Sequence, residues 1–372
     1  MNTQLATPTK PAAGKSGNWL LHILRANMVP LMFLALCIGA TIASELPLSF
    51  VINELVVRLS RNLFLVISLI IPVIAGMGLN FALVIGAMAG QVGLIAVKIW
   101  DIGGFNGFLM AILFSTPFAI LCGWLTGLCL NKTKGREMIT SMILGFFANG
   151  AWQAVFLLGI GTVLVVNNPE IVLKGGIGLK NALDYKFLQY SLDKMVYFEV
   201  GGIGIPVMSF IAVAVLCWFT RFIVTTKLGQ EFRSLGQDLH IAQVAGIPTD
   251  KIRLIAITIS TVLAAWGQII FIQNIGTLNT YNSHEQVGMF SIAALLIGGA
   301  TVVKATITDA IVGTALFHTL FIVSPQAGNV LFGDAQIGEF FRVFIAYGVI
   351  GMSLLLHAWH KYMEAKRKLL QE

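Results

Sequence analysis

An all-α membrane fold of about ten transmembrane helices, several of them broken, is what the sequence predicts, on three observations. Of the 372 residues, 57% are hydrophobic and only 11% charged, with a mean hydropathy of +0.84; an ordinary soluble domain carries roughly 25% charged residues. The charges gather in short stretches between apolar runs of about 20 residues, the length needed to cross the hydrocarbon core as a helix. Some of those runs hold glycine, proline and amide residues together, a mixture that an uninterrupted lipid-facing helix does not tolerate. The first observation excludes a water-soluble domain.

The first 28 residues form a polar arm with Lys10, Lys15 and Arg25, expected to stay as an uncleaved cytoplasmic segment ahead of the first helix. Candidate spans follow at about 29–46, 63–79, 81–97, 107–130, 139–166, 207–224, 254–272, 288–303, 306–323 and 341–359. The second and third are split from one apolar stretch at 63–97, and the eighth and ninth from another at 288–323. The membrane domain is thus 29–359, followed by a basic tail at 360–372.

Lys and Arg concentrate on the cytoplasmic side of membrane proteins. With the N-terminus inside, the arm, 131–137, 225–253, Lys304 and the tail carry most of the basic residues, including Lys132, Lys134, Arg136, Lys227, Lys251, Arg253, Lys361, Lys366, Arg367 and Lys368. Both termini are therefore expected in the cytoplasm of a multi-pass protein of the inner or plasma membrane, with lipid as the surrounding medium. Arg58 and Arg61 then fall in an external segment, against the trend. The segment 167–206 is the longest external loop, and its Tyr185, Phe187 and Tyr190 favour folding against the outer mouth.

The net charge of +7 follows from this topology; no basic stripe with interleaved aromatics marks a nucleic-acid partner. The four cysteines (Cys37, Cys122, Cys129 and Cys217) lie in apolar runs without metal-ligand spacing and read as packing residues, as does His318. No metal site, nucleophile motif or paired-carboxylate constellation is present in the sequence, so catalytic residues are expected to be absent. Asp309 stands near a helix end, and no Asp, Glu or Arg is placed in the middle of a span. A proton- or sodium-coupled carrier usually needs ionisable groups there.

Polar character at membrane depth comes instead from amides. Asn80 and Gln91 lie in the glycine-rich segment "GMGLNFALVIGAMAGQ", Asn149 and Gln153 share a helical face four residues apart, and Gln268 follows Trp266 in "AAWGQ". Amides hydrogen-bond an uncharged polyhydroxyl solute without the desolvation cost of a charge. They also hydrogen-bond between helices, and the glycines equally serve close packing, so both readings stand for Asn80, Gln91, Asn149, Gln153 and Gln268.

The cytoplasmic loop 225–253 has the most definite local design. In "GQDLHIAQVAGIP", Asp238 is placed to cap a short helix, Leu239, Ala242, Val244 and Ala245 give it an apolar face, and Gly246 ends it before Pro248. A helix so short is not stable alone and needs a surface to hold it.

At this loop the sequence resembles the permeases of bacterial ABC importers for simple sugars, nucleosides and branched-chain amino acids. The matching residues are Gly229, Arg233, Gly236, Ala242, Ala245, Gly246 and Ile247. A second match is "SIAALLIGGATVVKATITDAIVG", with Gly298, Gly299 and Gly313 in register; it departs after Thr301, where the family often has a further glycine pair and this chain has Lys304 and Ala305. A third is the segment from Ile85 and Gly86 to Gly90 and Gln91, similar to a segment of the sugar and nucleoside branch, with Ala89 where that branch has Glu.

The resemblance implies a fold like that of the vitamin B12-type (type II) importer permeases, and it implies that 225–253 couples to an ATPase through Asp238 and its helix. It also implies the partners: an ABC ATP-binding subunit that uses the ATP, a second permease, identical or homologous, and an extracytoplasmic substrate-binding protein. The chain itself would bind no cofactor. The expected role is half of the translocation path of an ATP-driven importer for a small polar solute, a simple sugar or a nucleoside. A secondary transporter and a membrane-embedded enzyme remain the alternatives.

Overall fold

A computed structural model describes residues 27–163, 166 and 168–369. The basic residues Lys10, Lys15 and Arg25 of the expected arm lie outside the described residues, as do Asn167 and the side chains of Lys361, Lys366, Arg367 and Lys368.

The described residues are predominantly helical. Helix α1 (Met28–Ser44) ends on Glu45 in the left-handed region, φ 53°, and Pro47 opens α2 (Leu48–Ser68), which continues with little interruption into α3 (Ile70–Ile74). A turn with Gly76 (φ 72°) and Gly78 (φ 70°) leads into α4 (Leu83–Ile99). Next come α5 (Gly104–Lys132) and α6 (Glu137–Ala154), the latter extended by a π turn over Val155–Gly159. After the long loop, α7 (Val207–Thr225), α8 (Lys227–Gln237), α9 (Leu239–Val244) and α10 (Thr249–Ile275) follow in close succession. The last helices are α11 (Ser283–Ile297), α12 (Ile307–Phe332) and α13 (Ala335–Leu369).

Every expected span overlaps one of these helices. Among the described residues, seven helical stretches are long and apolar enough to cross a membrane: Leu48–Ile74, Gly104–Lys132, Glu137–Gly159, Val207–Thr225, Thr249–Ile275, Ile307–Phe332 and Ala335–Met352. Met28–Ser44 and Leu83–Ile99 are shorter apolar helices.

The second span is corrected. It starts at Leu48 rather than near 63, so Arg58 and Arg61 lie inside a helix and not in an external segment, and a span does contain arginine. Arg58 Nε lies 3.6 Å from Glu54 one turn earlier, and Arg61 donates to Asn274 Oδ1 at 2.9 Å beside the Phe271 ring. Such pairing is what makes charge tolerable at this depth. Asp309 is a local structural residue: it completes a capping box with Thr306 at the start of α12.

Helix α10 is the centre of the bundle and packs on α5, α4 and α2. Close approach to α4 depends on missing side chains, since a Cβ on Gly86 would lie 2.7 Å from Ala264 Cβ and one on Gly90 3.1 Å from Gln268 Cβ. At these two positions the glycines serve packing. In contrast to α10, α6 turns most of its apolar residues outward, among them Ile139, Ile143, Phe146 and Phe147.

The long loop folds onto one end of the bundle. Strand β1 (Ala182–Asp184) pairs antiparallel with β4 (Thr277–Asn279), which follows α10, while β2 (Tyr197–Val200) and β3 (Ile203–Pro206) make a hairpin leading into α7. Leu183, Tyr185 and Leu188 are buried there. The opposite end gathers Gly76–Gly78, Gly135–Glu137, Leu235–Leu239 and Val302–Val303 around one cleft of about 750 Å³.

Candidate functional site

The first constellation is the α8–α9 loop. Helix α8 is amphipathic and buries Phe232 and Leu235 against the bundle. Gly229 has no room for a side chain, because a Cβ there would come 2.5 Å from the backbone of Val224. Gly236 rests on the turn after α3: a Cβ on Gly76 would meet the Gly236 Cα at 2.7 Å, and one on Gly236 would collide with the Ile74 carbonyl oxygen.

Asp238 caps α9, its carboxylate accepting from the backbone N–H of His240 at 2.8 Å and of Ile241 at 3.0 Å. Ala242 is buried, Ile247 half-buried, and Gly246 turns the chain out of the helix at φ 81°. Arg233 and Ala245 are exposed.

The expected apolar face of α9 is corrected. Ala242 points inward and Leu239 is half-buried, but Val244 is 77% exposed and Ile241, which the sequence reading omitted, 67%. With only six residues, the helix turns one small side chain to the bundle and leaves two β-branched ones outside.

Immediately after α9 lies a buried ion pair that the sequence did not disclose. Arg253 near the start of α10 is 2% exposed and contacts Glu137 Oε1 at 2.8 Å, Asn131 Oδ1 at 2.9 Å and the Leu130 carbonyl at 3.1 Å. Asn131 donates back to the Asp250 carbonyl at 2.8 Å, and Lys134 pairs with the Asp250 carboxylate. The foot of α10 is thereby tied to the foot of α6.

The second constellation lies toward the other end of the same helices. His284 on α11 is buried, with Nδ1 3.1 Å from the Gln91 side-chain amide on α4 and Nε2 3.0 Å from Asn149 Oδ1 on α6. Asn149 Nδ2 donates to Glu285 Oε2 at 3.0 Å, which fixes the orientation of that amide. Oδ1 therefore requires the ring proton on Nε2. In the neutral ring Nδ1 is then an acceptor, so Gln91 must present its nitrogen to it after a half-turn of the amide. Trp152 completes the cluster, its ring 5.6 Å from that of His284 and its N–H on the Thr280 carbonyl at 2.9 Å.

Of the five candidate amides, Gln91 and Asn149 meet directly through His284, and Gln268 stands beside them, donating to Ser283 at 3.1 Å. Asn80 is elsewhere: its Oδ1 accepts from the Ala82 backbone at 3.1 Å and shapes the turn before α4. Gln153, half-buried one turn beyond Asn149, has no hydrogen-bond partner among the described residues and does not join the network. His284 and Glu285 fall outside the eighth expected span, which begins at 288. The signal was there in "SHEQ", a polar run that opens an apolar helix. His318 packs against Phe317 and Phe321, at ring distances of 5.3 and 6.1 Å.

The family described as branched-chain amino acid transport system / permease component matches residues 51–356. Among curated proteins, the autoinducer 2 import system permease protein LsrC of Yersinia pseudotuberculosis (serotype O:1b, strain IP 31758) is 29% identical over 212 residues, covering 53% of this chain and 57% of that protein. The protein of the same name from Yersinia pestis (strain Pestoides F) is 28% identical over the same length, again covering 57% of it. The match thus spans a little over half the length of these relatives. No solved structure matches.

Proposed function

We propose that this chain, which belongs to the branched-chain amino acid transport system / permease component family, is the membrane subunit of an ATP-driven importer and carries a small polar solute, a simple sugar or nucleoside, across the inner or plasma membrane. A second permease subunit, identical or homologous, completes the path. ATP hydrolysis belongs to a separate ATP-binding subunit, and an external binding protein delivers the solute. Both termini and the loop 225–253 face the cytoplasm, and the sheet-bearing loop faces outside.

One observation carries this reading: the capped helix α9 holds Ile241 and Val244 outward while its approach, at Gly236, is wedged onto the turn beside Gly76. An exposed β-branched pair on a helix too short to stand alone suits a grip by another protein, and the wedge gives that grip a route to the break between α3 and α4. In this role Gly229, Arg233, Gly236, Asp238, Ala242, Ala245, Gly246 and Ile247 form the coupling surface. Asn149 lines the path, and Gln91 and Gln268 form the polar layer packed behind it.

Co-purification tests the reading. The tagged chain, expressed in its source cell, should bring down an ATP-binding subunit, and Ile241→Asp with Val244→Asp should release it while the permease stays in the membrane. Recovery of the chain with no ATPase from wild-type cells counts against an importer. Autoinducer 2, the cargo named for the similar permeases, belongs with ribose and uridine in the first uptake measurements.

A further inference from the structure

We infer that Glu285, held by Asn149, which His284 orients in turn, is a solute-contacting residue, and that the slot it lines admits uncharged polyhydroxyl solutes and turns anions away. This inference rests on the importer reading and names the solute class of the same path.

The slot lies between the start of α4, the middle of α6 and the first turns of α11, with Phe81, Phe146 and Met289 among its walls and Glu285 and Asn149 as its polar groups. Asn149 occupies Glu285 Oε2, and among the described residues Oε1 has no partner. A carboxylate at this depth is costly unless it faces water or a ligand. Behind it, on the far side of His284 and Ser283, two more amide groups are incompletely used: Gln268 Oε1 is buried without a partner, and so is Gln91 Nε2, the atom that the half-turn of the amide exchanges for its oxygen. Turned as the His284 tautomer demands, Gln91 also presents an oxygen. The polar groups left open are thus mainly acceptors, and hydroxyls are the donors that satisfy them without bringing charge.

The apolar walls decide the rest. Phe81 and Phe146 give the slot apolar surface for the C–H groups of a sugar, and a low-dielectric slot strengthens the repulsion between Glu285 and any phosphate or carboxylate. A cation would be attracted, but one bound to a lone carboxylate between apolar walls leaves slowly, which opposes passage.

The free space is about 20 Å³, room for one water and not for a sugar. Entry therefore needs α6 to move away from α11. Helix α6 is the least enclosed of the long spans, and its foot is tied through Glu137 and Arg253 to the helix that follows α9.

The test uses the assembled permease–ATPase complex in lipid nanodiscs, with the four native cysteines replaced and Met289→Cys placed on the slot wall one turn from Glu285. During ATP turnover, the cationic reagent MTSET should modify this cysteine about tenfold faster than anionic MTSES, after correction for their rates with a free thiol, because the carboxylate concentrates cations locally. Glu285→Gln should abolish the difference. At least one uncharged member of a panel of ribose, glucose, inositol, uridine and autoinducer 2 should slow the labelling, and ribose 5-phosphate should not.

Failure of both reagents to react during turnover, a rate ratio unchanged by Glu285→Gln, protection by the phosphate ester, or no protection by any uncharged solute each overturns the inference. ATPase co-purification and turnover are read on the same preparation. Their absence overturns the importer reading instead, so the two failures are distinguishable.

Discussion

Gly76 and Gly236 touch backbone to backbone, so that a single added Cβ on Gly76 would sit 2.7 Å from the Gly236 Cα. The contact joins the loop before α9 to the break between α3 and α4, and Gly76 makes it with φ 72°. A β-branched residue there suffers both a clash and a left-handed backbone cost of about 1–2 kcal/mol. Gly76→Val is expected to lower thermal stability in detergent and to leave ATP hydrolysis running without uptake. Normal uptake by a stably inserted Gly76→Val permease would show that the wedge transmits nothing.

Arg253 and Glu137 form a buried pair whose loss on one side leaves a charge without its partner. Arg253→Met or Glu137→Met alone should cost about 3–5 kcal/mol, and the double replacement much less, because a paired substitution strands no charge. Thermal melting of the four proteins forms a double-mutant cycle, and additive losses would show that the pair does not couple α10 to α6.

The amides should separate by their surroundings. Asn149→Leu, Gln91→Leu and Gln268→Leu are expected to reduce uptake at least about tenfold with assembly intact, since each leaves a polar partner unsatisfied, worth about 1–3 kcal/mol. Gln153→Leu should be near neutral. Asn80→Leu should act through the turn before α4 and show first as lost stability. A large uptake defect in Gln153→Leu, with none in Asn149→Leu, would reverse the assignment of the path.

Helix α9 depends on its exit turn as well as its cap. Gly246 has open space around it but a φ of 81°, so Gly246→Val is strained by backbone conformation alone. It should weaken ATPase binding, as should Ala242→Lys, which forces a charged side chain into a buried position. Pull-down yield at matched permease expression measures both, and undiminished yield in both would remove α9 from the coupling surface.

Topology is checked by labelling. In a cysteine-free background, Lys180→Cys in the sheet-bearing loop should react with an impermeant maleimide on intact cells. Reaction only after the cells are opened would invert the proposed orientation.

The sequence by itself determined the solvent, the helices and the capped turn of α9, because each is set by local composition. Apolar length selects a span, glycine and proline place the breaks, and Asp238 and Gly246 define a cap and an exit within a few residues of one another. The family, too, was legible in the glycines of 225–253 and 291–313.

Tertiary structure alone decided what meets what. Arg58 and Arg61 read as external because a charged helical turn lowers local hydropathy, and only packing beside Glu54, Phe271 and Asn274 lets α2 begin at Leu48. Asn149 and Gln153 share a helical face in sequence terms, yet one lies in a network and the other outside it, since α11 approaches only the first. The junction of Gln91, Asn149, His284 and Glu285 joins three helices across separations of up to 193 residues, and Arg253 finds Glu137 and Asn131 in the same way. Hydropathy and capping are properties of a chain segment, whereas a hydrogen bond between distant helices exists only once their crossing points are fixed by packing.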